Sequence, residues 1–195
     1  GKFQRLLIDE ARPPADFGGR KIPAFADALA AYVNIGKLIR AVPLSALKKV
    51  WPARRPKWKD LDPGLGAADI HRYAMLAGRP GGNMIREFLG IEPPAVGVTT
   101  LNVLNEPLLF VSTDPEALAL VRFQSEYPAD SVKVLSVDGV APSERSVRDG
   151  SYKLVRRYVW ALPKNASPET EKILPYFRGE KIRSALKEEY LLFLE

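Results

Sequence analysis

Residues 73–90, YAMLAGRPGGNMIREFLG, read as an extended segment, a glycine turn and then an amphipathic helix closed by Gly90. A strand that turns through glycines into a helix is the repeating step of an α/β sheet, and it is also a common way to build an anion site. At the start of a helix several backbone N–H groups are unpaired and the dipole is positive. Gly81 and Gly82 let a ligand approach the backbone, Asn83 stands where a cap belongs, and Arg79 offers a fork of donors to an oxyanion. Taken alone, the same residues also spell a tight turn leading into a capped helix.

Working outward, the segments on either side mix strands with helices. Upstream, FQRLLIDEA (3–11) reads as a short strand ending at the Pro13-Pro14 turn. KIPAFADALAAYVN carries no charge except Asp27 between Lys21 and Lys37, and its periodicity fits a buried strand or a helix equally. PLSALKKVW predicts a short helix with Ser45 as N-cap, stopped by Pro52. DIHRYAML predicts a strand that leads into the glycine turn. Downstream, STDPEALALV predicts a helix start, with Asp114 at the cap and Pro115 at the first helical position. SVKVLSVDGV predicts a strand turning at Asp138-Gly139. YKLVRRYVWAL predicts another strand, with Leu154, Arg156, Tyr158, Trp160 and Leu162 on one face. SPETEKILPYF and KIRSALKEEYLLFL predict terminal helices, the first opened by Ser167 and Pro168. The alternation argues for an α/β sheet.

Composition narrows the chemistry. The chain has 195 residues, room for one domain or two small lobes, with 46% hydrophobic and 27% charged residues. The absence of cysteine removes thiolate metal sites, disulfides and cysteine nucleophiles, and a single histidine, His71, leaves little scope for a metal centre or a triad. No apolar run approaches the ~18 residues that would cross a bilayer. No export signal is visible in these residues, and a start at Gly1 rather than Met leaves room for one before them. The net charge of +6 favours anionic partners, from small oxyanions to nucleic acid or a lipid surface.

The basic run KKVWPARRPKWKD interleaves Lys48, Lys49, Arg54, Arg55, Lys57 and Lys59 with Trp51 and Trp58. Such a run can face nucleic acid, but no nucleic-acid motif accompanies it, and the plainer reading is a solvated loop anchored by its two indoles. His71, in the middle of a presumed buried strand, reads as a core histidine. Asp62 and Asp69 flank a loop that gives them no acid–base partner, and one of Arg156 and Arg157, which point to opposite faces, is expected to be buried and paired. No segment brings nucleophile, base and orienting group together, so the expectation is binding without catalysis, with no metal and no cofactor.

In their order, PLSALKKVW, WKDL and IHRYAMLAGRPGGNMIREF resemble the phosphate-binding-protein family of periplasmic solute-binding proteins of ABC transporters. That family has a helix, a tryptophan before a loop, and a strand leading into an Arg–Ser-Gly-Thr turn that holds phosphate at a helix N-terminus. KIPAFADALAAYVN looks like its strand crossing between lobes, and VSTDPEALALV like its Asn-Pro-Gly-Ala-Ile-Gly-Tyr element. VKVLSVDGVAPSERSVRDGSYKLVRRYVWAL is the closest match: a return strand, a Gly-Val-x-Pro-Ser turn, a Gly-x-Tyr step and a strand with a central Arg. The resemblance runs from about Leu6 onward.

The departures are specific. Gly81-Gly82-Asn83 replace Ser-Gly-Thr, Arg79 lies closer to the turn than the family's arginine, and Ala119-Leu120 replace Gly-Tyr. The two strand–helix units with which the family begins have no counterpart here. The resemblance therefore implies an α/β, periplasmic-binding-protein-like fold of two lobes joined by crossing strands, the first lobe reduced. The fuller lobe, 33–134, would carry the anion turn, and 1–32 with 135–195 would build the other, with crossing strands near 22–34 and 132–138. The implied ligand is phosphate or another small oxyanion, held weakly by Arg79, Gly81, Gly82 and Asn83. The implied compartment is the bacterial periplasm or cell envelope, and the implied protein partner an ABC transporter permease or an envelope protein. The competing expectation is an interaction module with a vestigial cleft, contacting a protein or an anionic surface through residues 48–59. Nucleic-acid binding through that loop ranks third.

Overall fold

The computed structural model describes residues 7–11, 18–79 and 81–194. The calls at residues 3–6 and at Pro13-Pro14 lie outside these. The chain forms two compact units, Gly1–Asp27 with Val155–Glu195, and Ala28–Leu154.

One strand serves both units. β2 (Arg20–Asn34) is buried at every position from Ala24 to Val33, Asp27 included. Continuous burial removes the polar alternation that marks a half-exposed strand, which is why its periodicity is ambiguous. In the Ala28–Leu154 unit, β2 pairs antiparallel with β6 (Ala117–Arg122), from Leu29 opposite Arg122 to Val33 opposite Leu118. β6 runs parallel to β4 (His71–Met75), and β4 parallel to β5 (Val98–Leu101). On its other side β2 pairs with β7 (Val132–Val134), while β3 (Ala41–Val42) and β8 (Ser136–Val137) form a small parallel pair. Helix α3 (Glu106–Thr113) packs on β4 and β6, and α1 (Leu44–Val50) packs on α2 (Met84–Leu89). A fourth short helix in this unit, α4 (Glu144–Asp149), opens with a capping box in which the Ser146 N–H donates to the Ser143 hydroxyl.

The unit of Gly1–Asp27 and Val155–Glu195 sets β9 (Val155–Leu162) between β1 (Leu7–Asp9) and β2, with β10 (Leu192–Phe193) also paired to β2. Helices α5 (Pro168–Phe177) and α6 (Glu180–Glu188) follow β9. Aromatic side chains fill much of its core: Phe25 lies 4.6 Å from Tyr158, and Trp160 4.7 Å from Phe177. Of the two arginines, Arg156 is half-buried and paired, short of the full burial expected from the sequence. Its guanidinium donates to the fully buried Asp27 carboxylate at 3.0 Å and lies over the Tyr158 ring.

Five expectations are corrected. Asp114 does not start a helix; it follows α3, and ALALVR forms β6. Burial of the whole strand overrides the helix preference of its Ala and Leu residues, and Asp114 accepts the Glu116 N–H in a tight turn instead. SVKVLSVDGV is broken into two short strands with different partners. The last predicted helix stops at Glu188, Tyr190 takes a left-handed φ of 54°, and the following LF adds a strand to β2. Ser45 does not cap α1, because the N-cap position is Pro43 and the Leu44 N–H donates to the Asp138 carboxylate at 2.9 Å. His71 is not a core histidine: its side chain is 56% exposed, and Nδ1 lies 2.8 Å from Asp114 Oδ2.

Candidate anion site

The glycine turn leaves the C-terminal end of β4, at the edge of the parallel strands where α/β proteins place their ligands. Its backbone folds back in steps. The Arg79 N–H donates to the Leu76 carbonyl and the Gly82 N–H to the Arg79 carbonyl, each at 3.0 Å, and the Met84 N–H to Gly81 at 3.1 Å. Gly81 has φ of 84°, and a Cβ there would stand 3.2 Å from the Arg122 backbone nitrogen. A Cβ on Gly82 would run into the Leu76 carbonyl oxygen. Both glycines are thus demanded by chain packing, whatever they do for a ligand. Substitution at Gly82 tests folding rather than binding.

Asn83 occupies the N-cap position of α2 without capping it. Its side-chain oxygen accepts the Gly78 N–H at 3.3 Å, which ties the turn to itself. Arg79 is exposed. α2 spans only six residues, so its dipole is short. Among the described residues, the Gly81 and Asn83 N–H groups donate to no acceptor.

Sequence reasoning missed the residue behind the turn. Arg122 ends β6 against Gly81 and is buried. The available signal was a polar residue following directly on the apolar run ALALV. Arg72 was missed as well. Buried in β4, it donates to the carbonyls of Val50, Trp51 and Val96, which closes the C-terminal end of α1, and burial pushes its guanidinium below its ordinary pKa.

Part of the basic loop is tied down, while Lys48, Lys49, Arg54 and Lys59 are exposed. Trp51 and Trp58 are each 1% exposed, and burying an indole contributes on the order of 3 kcal/mol, so they anchor the loop. Lys57 reaches the Asp69 carboxylate at 3.0 Å and holds it below its ordinary pKa, with Arg55 at 3.6 Å. Near the other end of β4, His71 Nδ1 and the Tyr73 hydroxyl both meet Asp114 Oδ2, and Tyr73 stacks on Phe110 at 5.1 Å. Burial, helped by the Asp114 charge, pushes the Tyr73 hydroxyl above its usual pKa. Among the described residues, no three His, Cys, Asp or Glu side chains gather to hold a metal ion, and no helix is long and apolar enough to cross a membrane.

The mixed α/β chain has the periplasmic-binding-protein-like fold. Solved structures share it: an ABC-type phosphate transport receptor from Vibrio cholerae (TM-score 0.71, 15% identity, 96% of this chain and 78% of that one). Others are a possible phosphate binding protein from Planctomyces limnophilus (0.80, 15%, 97% and 75%) and PstS from Borrelia burgdorferi (0.73, 14%, 97% and 79%). Within that class, the resemblance to the phosphate-binding-protein family holds in sequence as well. The chain is 26% identical over 168 residues to the phosphate-binding protein PstS of Bacillus subtilis, covering 81% of this chain. It spans about half of that relative, 52% of its length. No family model matches the chain.

Proposed function

We propose that the chain is a non-catalytic solute-binding domain that takes phosphate or a related small oxyanion at the Arg79, Gly81, Gly82 and Asn83 turn. The observation that carries the reading is the coincidence of two facts. The relatives it resembles are phosphate-binding proteins, and its own glycine turn leaves the ligand edge of the parallel strands with an exposed arginine beside it. Binding is expected to be weak. The Ser and Thr hydroxyls of the family's turn are replaced by Gly81 and Asn83, and each charge-assisted hydrogen bond lost costs about 1.5–3 kcal/mol. The lobe organisation, 33–134 against 1–32 with 135–195, belongs to this proposal. The cell envelope as compartment, and an ABC transporter permease or an envelope protein as partner, follow from the same resemblance.

Calorimetric titration with phosphate and then sulfate, after exhaustive dialysis, tests the reading. The expected dissociation constant is roughly 0.1–1 mM, weakened at least tenfold by Arg79→Ala. No heat up to about 10 mM of either anion overturns it.

A further inference from the structure

We infer that the basic loop from Lys48 to Lys59, with the neighbouring Val96 tip, docks the protein on an anionic phospholipid surface, a function separate from that of the anion turn. The loop has an inner and an outer side. Trp51, Pro56, Trp58 and Leu61 are buried, which turns the charged side chains between them outward. Between Leu44 and Asp62 six cations stand against two carboxylates, Asp60 and Asp62. Those two spend oxygens on the Lys57 and Gly64 N–H groups, each at 2.8 Å. The other acids nearby are matched already: Asp69 takes Lys57 at 3.0 Å and Arg55 at 3.6 Å, and Glu92 meets Arg86 at 3.7 Å. Among the described residues, Lys48, Lys49, Arg54 and Lys59 are exposed and join no ion pair.

An apolar tip stands beside these cations. The Arg72 guanidinium donates to the Val50 carbonyl at 3.2 Å and to the Val96 carbonyl at 2.9 Å. A Cβ on Gly97 would lie 3.3 Å from the Arg54 carbonyl oxygen. Residues 96–97 therefore rest along residues 50–54. Val96 is 64% exposed, and Pro52 and Pro94 are exposed as well. Mobile cations beside a small apolar tip match a bilayer surface. Anionic headgroups reward cations that have no fixed partner, and the tip enters the headgroup boundary. Other anionic partners fit less well. Single-stranded nucleic acid is held by stacking on exposed aromatic rings, and both indoles of this loop are 1% exposed. Protein interfaces are rich in aromatic residues and poor in lysine, whereas three of these four cations are lysines and the tip is aliphatic.

Co-sedimentation at low salt with vesicles of equal parts phosphatidylcholine and phosphatidylglycerol tests this. The protein should partition onto them, release at about 0.5 M salt, and ignore vesicles of phosphatidylcholine alone. Each Lys or Arg lost near an anionic surface weakens partitioning about fivefold, so Lys49→Gln with Arg54→Gln should weaken it roughly ten- to thirtyfold. Lys153→Gln with Lys181→Gln makes the same change in net charge at exposed positions elsewhere, and should weaken it no more than about twofold. Val96→Ser should weaken it about two- to fivefold at an unchanged melting temperature. Equal losses in the two double variants would mean that net charge alone acts, which overturns the inference. So would an absence of partitioning at low salt. Tighter binding of single-stranded DNA or polyglutamate than of vesicles, at equal anionic charge, would overturn lipid as the occupant. The Lys49→Gln, Arg54→Gln protein should titrate with phosphate as the wild type does, so the lipid and anion readings fail independently.

Discussion

Asp114 is met by donors from several directions. Its carboxylate accepts the Glu116 N–H at 2.9 Å, and its Oδ2 meets His71 Nδ1 at 2.8 Å and the Tyr73 hydroxyl at 3.1 Å. Burial raises its pKa, but these hydrogen bonds and the His71 charge outweigh burial, and the carboxyl ends below its ordinary 3.8. A carboxylate whose folded pKa lies below its unfolded one stabilises the fold fully above the unfolded value. That contribution is lost as pH falls through the folded value. The wild type should therefore lose melting temperature on acidification more steeply than Asp114→Asn, read from thermal melts between about pH 2.5 and 5. Equal slopes would mean that Asp114 is not held in its charged form by the fold. None of this was visible in the sequence, where His71 sat inside an apolar-looking strand and Asp114 looked like a helix cap. His71 stands at the first position of β4, where the strand reaches solvent, and side-chain exposure at a strand end is set by tertiary packing.

At the scale of elements, local rules located most strands and helices and misplaced their ends. Proline and glycine were reliable: α1 runs out beside Pro52, and α2 ends at Gly90 with φ of 73°. Caps were not, because a donor at a helix start can be satisfied from far along the chain. The Leu44 N–H uses Asp138, which lies in the turn after β8, and not its neighbour Ser45. Asp138→Ala should cost about 1 kcal/mol, and Ser45→Ala no more than a few tenths. Urea denaturation of the two variants checks this, and a larger loss for Ser45→Ala would refute the long-range cap. The same limit hid β6 and β10. ALALVR has a helical composition and becomes a strand only because β2 and β4 flank it. The glycine turn was legible because it is a local signal. Arg122 was not, because its nearness to Gly81 is a fact of strand pairing.

At the scale of the whole molecule, the proposed site residues, Arg79, Gly81, Gly82 and Asn83, all fall within Ala28–Leu154. Bound anion stabilises only the state that holds it. At a hundredfold excess over the dissociation constant the gain is about 2.7 kcal/mol, or roughly 5–10 °C for a chain of this size. If the two units melt in separate steps, phosphate should move only the step belonging to Ala28–Leu154, and differential scanning calorimetry reads this directly. Movement of the other step alone would place the anion elsewhere. The fold class and the resemblance to phosphate-binding proteins were legible because the order of many weak elements survives where single motifs do not.

The interleaving of the two units has a consequence for biosynthesis. Leu7 pairs with Trp160, so β1 and the first half of β2 leave the ribosome long before β9 exists to cover them. At about 5–20 residues per second, the wait is roughly eight to thirty seconds. Through that interval Ala28–Leu154 can be completed and folded in one piece, while Ala24, Phe25 and Ala26 stay uncovered beside it. A nascent chain paused before Val155 is then half native and half adhesive, and its yield in cells depends on what shields those residues until the last segment emerges.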